Sequence, residues 1–236
     1  MRDGPPRGIL FDLDDTLVVF DGVAEPAWRE VCARYAGRAG LPAEELRGAI
    51  REVARAYWSD AERHRVGRLS LEETRRSIVA EALRRRGIAG DELARTIADD
   101  YSRLQESRIA LFPDALETLG ALRAAGVRLA LVTNGNAVLQ RRKIDRFGLE
   151  RYFEACLVEG ELGFGKPDRR VFELGLRAMG TEPDEAWCVG DNLDWDVRGA
   201  QAVGITAIWK DNHRRGAPEV GVRPDRIIRE LSELLA

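Results

Sequence analysis

After Pro113 the sequence alternates between segments with helical spacing, most of which end at a glycine, and short apolar runs typical of buried strands. The predicted order is a helix at 113–125, the strand VRLALVTNG, a helix at 137–147, the strand EACLVEG, a helix at 168–179, the strand AWCVGD, a helix at 197–203, the strand ITAIW and a last short strand or helix in RIIRELSELL. This alternation predicts right-handed crossovers and an α/β fold with a Rossmann-like parallel sheet core, covered by helices on both faces.

One strand precedes this alternation, and a block of helices separates it from the rest. GILFDL at 8–13 is typical of a buried strand, and four helix-like segments follow at 24–39, 42–64, 71–86 and 91–108. Ser70 and Glu73 predict a capping box for the third of these helices, and Gly87 predicts its left-handed end. The sequence therefore predicts a core domain from 1–17 and 111–236, interrupted by an all-helical domain at 18–110.

The composition excludes several classes of protein. The 236 residues include 37 Lys and Arg against 40 Asp and Glu, a near-neutral balance that does not favour binding of a nucleic acid polymer. No apolar stretch approaches the roughly 18 to 20 residues of a membrane span, so we expect no membrane association. Cys32, Cys156 and Cys188 lie far apart without metal-site spacing, which predicts idle thiols in a reducing, cytoplasmic compartment and no structural zinc. A small molecule is the expected partner, and the protein is expected to be a monomer or a homodimer.

Polar side chains follow the predicted strands at their carboxyl ends, where parallel sheets bind ligands. Asp12 and Asp14 are two residues apart, which places them on the same side of the chain. Two carboxyl groups in different environments can divide the work between an ionised nucleophile and a protonated acid. The alternative is a strand that simply ends in a polar turn.

A second acidic group lies in GDNLDWD, after the strand AWCVG. Carboxylates without His or Cys indicate a hard cation, which favours Mg²⁺ over zinc or copper. Asp191 at the strand tip is the better candidate ligand, Asp196 is a further one, and Asp194 is interpreted as a helix cap or a solvated side chain.

Two further segments suit a phosphoryl group. Thr133, Asn134 and Gly135 lie between a strand and a helix, where backbone N–H groups bind phosphate, although a plain Asn-Gly turn is the alternative. Lys166 lies before Pro167 at a helix entry, where an ammonium group can neutralise a phosphoryl oxygen, and an exposed loop lysine is the alternative. Only three of the 37 basic residues are lysines, so each lysine is of interest unless nucleotide bias explains the excess of arginine; they are Lys143, Lys166 and Lys210.

The segments FDLDDTL, LVTNG, GKPD and GDNLDWD, in this order, resemble the phosphohydrolases of the haloacid dehalogenase superfamily. The resemblance implies that Asp12 attacks phosphorus to form an aspartyl-phosphate, while Asp14 protonates the leaving oxygen and later activates water. It also implies a Mg²⁺ ion held by the Asp12 carboxylate, the Asp14 backbone carbonyl and Asp191. Asp196 would support the ion or interact with Lys166. The residues implied to bind the phosphoryl group are Thr133, Asn134, Gly135 and Lys166, with Thr133 and Lys166 also counted as catalytic.

The helical insertion matches the cap domain of that superfamily, which implies that it selects the substrate. Candidate pocket residues are Phe20, Asp21, Trp28, Tyr57, Trp58 and Arg63, but aromatic residues at helical spacing more often belong to a core. His64 and His213 are interpreted as structural or solvated. Asn192 and Trp195 stand where the superfamily often has Ser and Asn, so the details of metal coordination are left open.

The function expected from the sequence is a Mg²⁺-dependent phosphatase that hydrolyses a small organic phosphomonoester. A phosphotransferase or phosphomutase would use the same aspartyl-phosphate. A 2-haloacid dehalogenase is a minor alternative, because the dehalogenases of the superfamily lack the acid equivalent to Asp14. A receiver-like or otherwise non-catalytic module is also minor, since a receiver is about half as long and has no helical insertion after its first strand.

Overall fold

A computed structural model of the chain describes residues 5–216 and 221–236. Within these residues the chain forms two compact units, one from the segment through Val19 together with the segment from Ala110 onward, and the other from Phe20–Ile109. These limits lie two residues and one residue from the domain limits expected from the sequence. Parts of the expected core, residues 1–4 and 217–220, lie outside the described residues.

The strands and helices occupy the following residues. The strands are β1 (Gly8–Phe11), β2 (Val18–Val19), β3 (Ala110–Leu111), β4 (Arg128–Thr133), β5 (Ala155–Val158), β6 (Ala186–Gly190), β7 (Thr206–Lys210) and β8 (Arg226–Ile228). The helices are α1 (Asp21–Ala39), α2 (Ala43–Trp58), α3 (Ala61–Leu69), α4 (Leu71–Arg85), α5 (Asp91–Arg108), α6 (Ala115–Ala124), α7 (Ala137–Arg146), α8 (Glu159–Leu162), α9 (Arg169–Met179) and α10 (Arg198–Gln201). Short 3₁₀ turns occur at Glu150–Tyr152, Pro183–Glu185 and Leu231–Leu235, and a π-helical turn occurs at Leu193–Val197.

The first unit is built on a parallel sheet with the strand order β5-β4-β1-β6-β7-β8, which confirms the predicted α/β fold class. Strand β1 lies at the centre with all four residues buried, as a parallel strand covered on both faces must be. Phe11 pairs with Leu131 of β4 and Val189 of β6. The chain segments that follow β1, β4 and β6 therefore lie side by side at the carboxyl-terminal end of the sheet.

Helix α9 packs closely on this sheet because it carries a glycine where it crosses β1. A methyl group on Gly175 would lie 2.4 Å from Cδ2 of the buried Leu10, so a larger residue would force Leu10 or the helix to shift. The buried face of α9 has helical spacing and includes Phe172 and Leu176. Its first turn is capped by the Asp168 side chain, which accepts from the Arg170 backbone N–H at 3.0 Å. Helix α9 thus anchors the loop that carries Lys166.

The second unit is all helical, but its details correct the sequence predictions. The predicted helix at 42–64 is interrupted, and α3 begins after Asp60, whose carboxylate caps it by accepting from the Arg63 backbone N–H at 2.8 Å. The predicted capping box is wrong, because Ser70 precedes α4 without forming a side-chain cap. Gly87 does follow α4 in the left-handed conformation, with φ of +72°.

The aromatic residues of this unit mostly serve its core, which was the alternative interpretation. The rings of Trp28 and Tyr101 stack at 3.7 Å between centroids, and Tyr57 and Trp58 pack against the buried cluster. Among the described residues no helix combines the length and the apolar character needed to cross a membrane.

Two features of the first unit depart from the predicted elements. Strands β2 and β3 pair antiparallel and form a short two-stranded ribbon, although no strand was predicted at 18–19 or 110–111. The helix predicted at 197–203 begins earlier, with the π-helical turn, and α10 ends at Gln201. The C-terminal segment contains both of the elements considered for it, since strand β8 is followed by a 3₁₀ turn.

Candidate active site

Three carboxylates converge where β1 and β6 end. One oxygen each from Asp12, Asp191 and Asp196 lies within 4.8 Å of the others. Asp12 directly follows β1 and Asp191 directly follows β6, so the sheet register brings them together. Asp196 comes from the π-helical turn, and its carboxylate accepts from the Asn192 backbone N–H at 3.0 Å. Asp12 and Asp196 are buried, and Asp191 is half-buried.

Lys166 lies between two of these acids. Its Nζ donates to Oδ1 of Asp12 at 2.5 Å and forms an ion pair with Oδ1 of Asp196 at 2.7 Å. Only 2% of Lys166 is exposed, so it is not the exposed loop lysine of the alternative interpretation. Burial of all three charges is tolerated because each charged group faces an opposite one.

The side chain of Asn134 holds the backbone of Lys166 in place. Its Nδ2 donates to the Lys166 carbonyl at 2.7 Å, and its Oδ1 accepts from the Lys166 N–H at 2.8 Å. These two hydrogen bonds tie the end of β4 to the loop before α9. Asn134 was predicted to bind substrate, and in this structure its side chain positions the lysine.

The electrostatics of the carboxylate group favour a bound cation. Burial raises the pKa of Asp12 to about 7, with the Lys166 charge opposing and the Asp196 charge adding to the shift. Burial, followed by the charges of Asp12 and Asp196, raises the pKa of Asp191 to about 9. Although burial lowers the pKa of Lys166, the carboxylates of Asp12 and Asp196 raise it above its usual value. With the three acids ionised and Lys166 protonated, the group carries two net negative charges, which a divalent cation would balance.

Asp14 has separate partners, both on α7. Lys143 Nζ donates to Oδ1 and to Oδ2 of Asp14, each at 2.6 Å, and Gln140 Nε2 donates to Oδ2 at 2.9 Å. Its carboxylate is not part of the three-acid group. Asp12 and Asp14 are therefore held by different lysines.

The segment after β4 provides a hydroxyl and closely packed backbone. The Thr133 side chain is buried, and its Oγ1 accepts from Gln140 Nε2 at 2.5 Å. The Gly135 N–H donates to Oε2 of the buried Glu159 at 2.9 Å, and its carbonyl accepts from the Gly160 N–H at 3.0 Å. Gly135 has φ of +122°, a conformation that favours glycine. In this structure the Gly135 N–H is thus engaged by Glu159.

A family model for haloacid dehalogenase-like hydrolases matches residues 6–204 of the chain. The chain belongs to this family. The phosphoserine phosphatase of Thermus thermophilus is 37% identical, and the match covers 96% of each protein. Among solved structures, the magnesium-bound HAD-hydrolase YfnB of Bacillus subtilis has a TM-score of 0.74 at 24% identity, with 98% and 97% of the two chains covered. A 2-haloacid dehalogenase of Pseudomonas syringae pv. Tomato DC3000 has a TM-score of 0.64 at 31% identity, with 98% of each chain covered.

This membership confirms the resemblance seen in the four motifs. The structure shows what the side chains at the unusual positions of the fourth motif do in this hydrolase. Asn192 is the helix cap of the fourth motif, because its Oδ1 accepts from the backbone N–H groups of Asp194 and Trp195, each at 3.0 Å. Asp194 is exposed and forms an ion pair with Arg198 at 3.0 Å. Asp194 is therefore a solvated side chain and not the cap.

Sequence reasoning missed Gln140, Lys143 and Glu159 in this hydrolase. The only signal for Lys143 was the scarcity of lysine, and all three lysines are in fact buried. The Nζ of Lys210 lies 3.3 Å from the ring centroid of Phe112 and also contacts the side chain of Asn212. Burial lowers the pKa of Lys210 to about 8. No spacing rule predicted that Gln140 or Glu159 would face the site.

Proposed function

We propose that this hydrolase is a Mg²⁺-dependent phosphatase that cleaves small organic phosphomonoesters through an aspartyl-phosphate on Asp12. The observation that carries the proposal is the buried Lys166, which contacts Asp12 and Asp196 beside Asp191. A carboxylate nucleophile next to a fixed ammonium group is suited to attack on a phosphoryl group, whose negative charge the ammonium offsets. The 37% sequence identity to a phosphoserine phosphatase over nearly the whole chain supports a phosphomonoester as the substrate class.

The proposed chemistry has two steps. In the first, an oxygen of Asp12 forms a bond to phosphorus while the bond from phosphorus to the ester oxygen breaks, and Asp14 gives its proton to that oxygen. In the second, Asp14 takes a proton from water, whose oxygen attacks phosphorus and releases Asp12 and inorganic phosphate. Thr133, the backbone N–H groups near it and Lys166 would orient the phosphoryl group and offset its charge.

The acids fit a magnesium ion. They offer only oxygen ligands, they lie within 4.8 Å of one another, and they carry an excess of negative charge beside one lysine. Asp12, Asp191 and the Asp14 backbone carbonyl would hold the ion, and Asp196 would support it while keeping Lys166 in place. Bound there, Mg²⁺ would offset negative charge on the phosphoryl oxygens.

We further propose that the helical unit Phe20–Ile109 is the family's cap domain and that its side chains determine which ester is accepted. We also infer a reducing, cytoplasmic location, which is supported by the free thiols of Cys32, Cys156 and Cys188.

The direct test is phosphate release from a panel of sugar, nucleotide and organic-acid phosphates, with Mg²⁺ and with EDTA. We expect release that requires Mg²⁺ and is abolished by Asp12→Asn. Asp194→Asn is the matched control, because Asp194 is an exposed acid of the fourth motif, and it should retain activity. A protein that releases no phosphate from any ester, or an Asp12→Asn variant as active as the original, would refute the proposal.

A separate assay of halide release from 2-haloacids tests the dehalogenase alternative, to which the similarity to a 31% identical dehalogenase structure is relevant. Dehalogenation needs no proton donor for the departing halide, whereas Asp14 is present here and firmly held. We therefore expect no halide release from 2-haloacids.

A further inference from the structure

We propose that Lys143 and Gln140 are positioning residues that hold the Asp14 carboxylate for proton transfer to the leaving group. The inference rests on the proposed phosphatase function and adds a pair of residues on α7 to it. Neither residue belongs to the four motifs by which the chain resembles its family.

The contact between Lys143 and Asp14 restrains the carboxylate in two directions. The ammonium group donates to both carboxylate oxygens at 2.6 Å, so rotation of the carboxylate about its own axis would break one of the two hydrogen bonds. Lys143 is 8% exposed and Asp14 is half-buried, so water screens this ion pair less than a pair on the surface. The structure thus places a buried cation on a carboxylate that lies outside the three-acid group.

Gln140 extends this restraint to the end of β4. Its Nε2 lies 2.9 Å from Oδ2 of Asp14, 2.5 Å from Oγ1 of Thr133 and 2.9 Å from the carbonyl oxygen of Asn134. A single side-chain amide therefore ties the proposed acid to the residue proposed to bind the phosphoryl group. Because Gln140 and Lys143 are three residues apart in α7, they share one face of the helix.

Helix α7 is itself fixed at its first turn. The Asn136 side chain caps it by accepting from the Leu139 backbone N–H at 3.1 Å, and Asn136 directly follows the glycine after Asn134. The helix start is thereby joined to the same loop that carries the proposed phosphoryl ligands. The position of the Asp14 carboxylate relative to the residues after β4 therefore depends on where α7 lies.

The choice of lysine fits this role. The chain uses arginine at 34 of its 37 basic positions, yet it has lysine beside both acids proposed to act on the ester, Lys166 at Asp12 and Lys143 at Asp14. An ammonium group is compact, and it can contact both oxygens of one carboxylate where the planar guanidinium would need more room. Each acid thus has its own ammonium partner, and the two carboxylates lie in different environments.

The test exploits the fact that a proton donor matters only for a poor leaving group. Lys143→Met should slow alcohol release from an alkyl phosphate such as glycerol phosphate about 100-fold in a single turnover, the range expected for a misplaced general acid. Release of nitrophenol from p-nitrophenyl phosphate should fall less than about fivefold, because that leaving group departs without protonation. Gln140→Leu should show the same selectivity with a smaller loss, and it serves as the second variant where Lys143→Met fails to fold.

Two controls separate positioning from a merely structural role. Arg142→Met removes a charge from an exposed position of the same helix and should leave both rates unchanged. In a protein that already carries Asp14→Asn, Lys143→Met should have no further effect, because its target is gone. Thermal unfolding with and without Mg²⁺ should show that Lys143→Met still responds to the ion.

Equal losses with both esters would overturn the inference, as would a further loss in the Asp14→Asn background, since Lys143 would then act on the fold or directly on the substrate. These outcomes are distinct from failure of the proposed function. If the original protein releases phosphate from no ester of the substrate panel, or if Asp12→Asn is fully active, the function itself is wrong. If those two results are as expected and only the leaving-group selectivity is absent, the role of Lys143 and Gln140 alone is wrong.

Discussion

Magnesium should stabilise the folded protein, and the stabilisation should be larger at pH 8 than at pH 6. Burial raises the pKa of Asp12 from 3.8 to about 7. Between pH 3.8 and about pH 7 the folded state therefore binds more protons at this carboxyl group than the unfolded state does. The free energy of unfolding of the metal-free protein therefore falls as the pH rises through this range. From pH 5 to pH 7 the loss due to Asp12 is about 2 to 3 kcal/mol, since one pH unit corresponds to about 1.4 kcal/mol.

A bound divalent cation reverses this penalty, because it favours the ionised acids. At an ion concentration about 100 times the Kd, binding adds about 2.7 kcal/mol, which for a chain of this length corresponds to a rise in Tm of about 5 to 10 °C. At pH 6, one unit below the pKa of Asp12, protons compete and weaken binding about tenfold, which removes about 1.4 kcal/mol of the gain. Asp191, whose pKa is raised to about 9, acts in the same direction.

The assay is thermal unfolding of EDTA-treated protein across a Mg²⁺ titration at pH 6 and pH 8, with ionic strength held constant. The range stops at pH 8 because the pKa of Lys210 is lowered to about 8, so above that value the unfolded state holds the extra proton and the trend from this group is opposite. Asp191→Asn should lose most of the shift, while Asp194→Asn should keep it. An equal shift at the two pH values, or an unchanged shift in Asp191→Asn, would refute the reasoning.

Three further substitutions test the rest of the site. Gly190→Ala would place a methyl group 2.2 Å from the carboxyl carbon of Asp196, so phosphatase activity should fall about 100-fold, whereas Gly120→Ala, with open space around it, should keep full activity and unchanged or slightly higher stability. Asn134→Ala removes two hydrogen bonds to the Lys166 backbone and should cost about 1 to 3 kcal/mol in unfolding experiments, with kcat lowered and the Mg²⁺ shift in Tm retained. Lys166→Met leaves buried carboxylates unpaired, so metal-free protein at pH 8 should lose about 3 to 5 kcal/mol in denaturant titrations and recover part of it with Mg²⁺. Full activity of Gly190→Ala would contradict the first prediction. Unchanged stability of Asn134→Ala would contradict the second, and unchanged stability of Lys166→Met would contradict the third.

Local patterns in the sequence predicted the parallel sheet and the polar residues at the carboxyl ends of its strands. The strand before Asp12 and the strand before Asp191 are short apolar runs that end in polar residues, and such patterns survive in the fold because a buried strand must exclude charge. The left-handed glycine after α4 was predicted for the same kind of reason, since it depends on the backbone of a few neighbouring residues.

Local competition between polar side chains was harder to predict. Ser70 was expected to cap α4, but the caps that form nearby and in the fourth motif are made by Asp60 and Asn192. Several polar residues close to each helix start could serve as the cap, and packing of the helix decides among them. The break between α2 and α3 was missed for the same reason.

The amino-acid sequence by itself determined an α/β core with a helical insertion, and it placed Asp12, Asp191 and Lys166 at strand and helix ends. Only the tertiary structure decided which of these groups meet, because strand order places β1 between β4 and β6 and so joins residues far apart in the chain. The contact between Lys143 and Asp14 spans 129 residues, and no periodicity in a single sequence encodes it. Whether a buried lysine reaches one acid or another depends on where its helix packs, and that is set by the whole core at once.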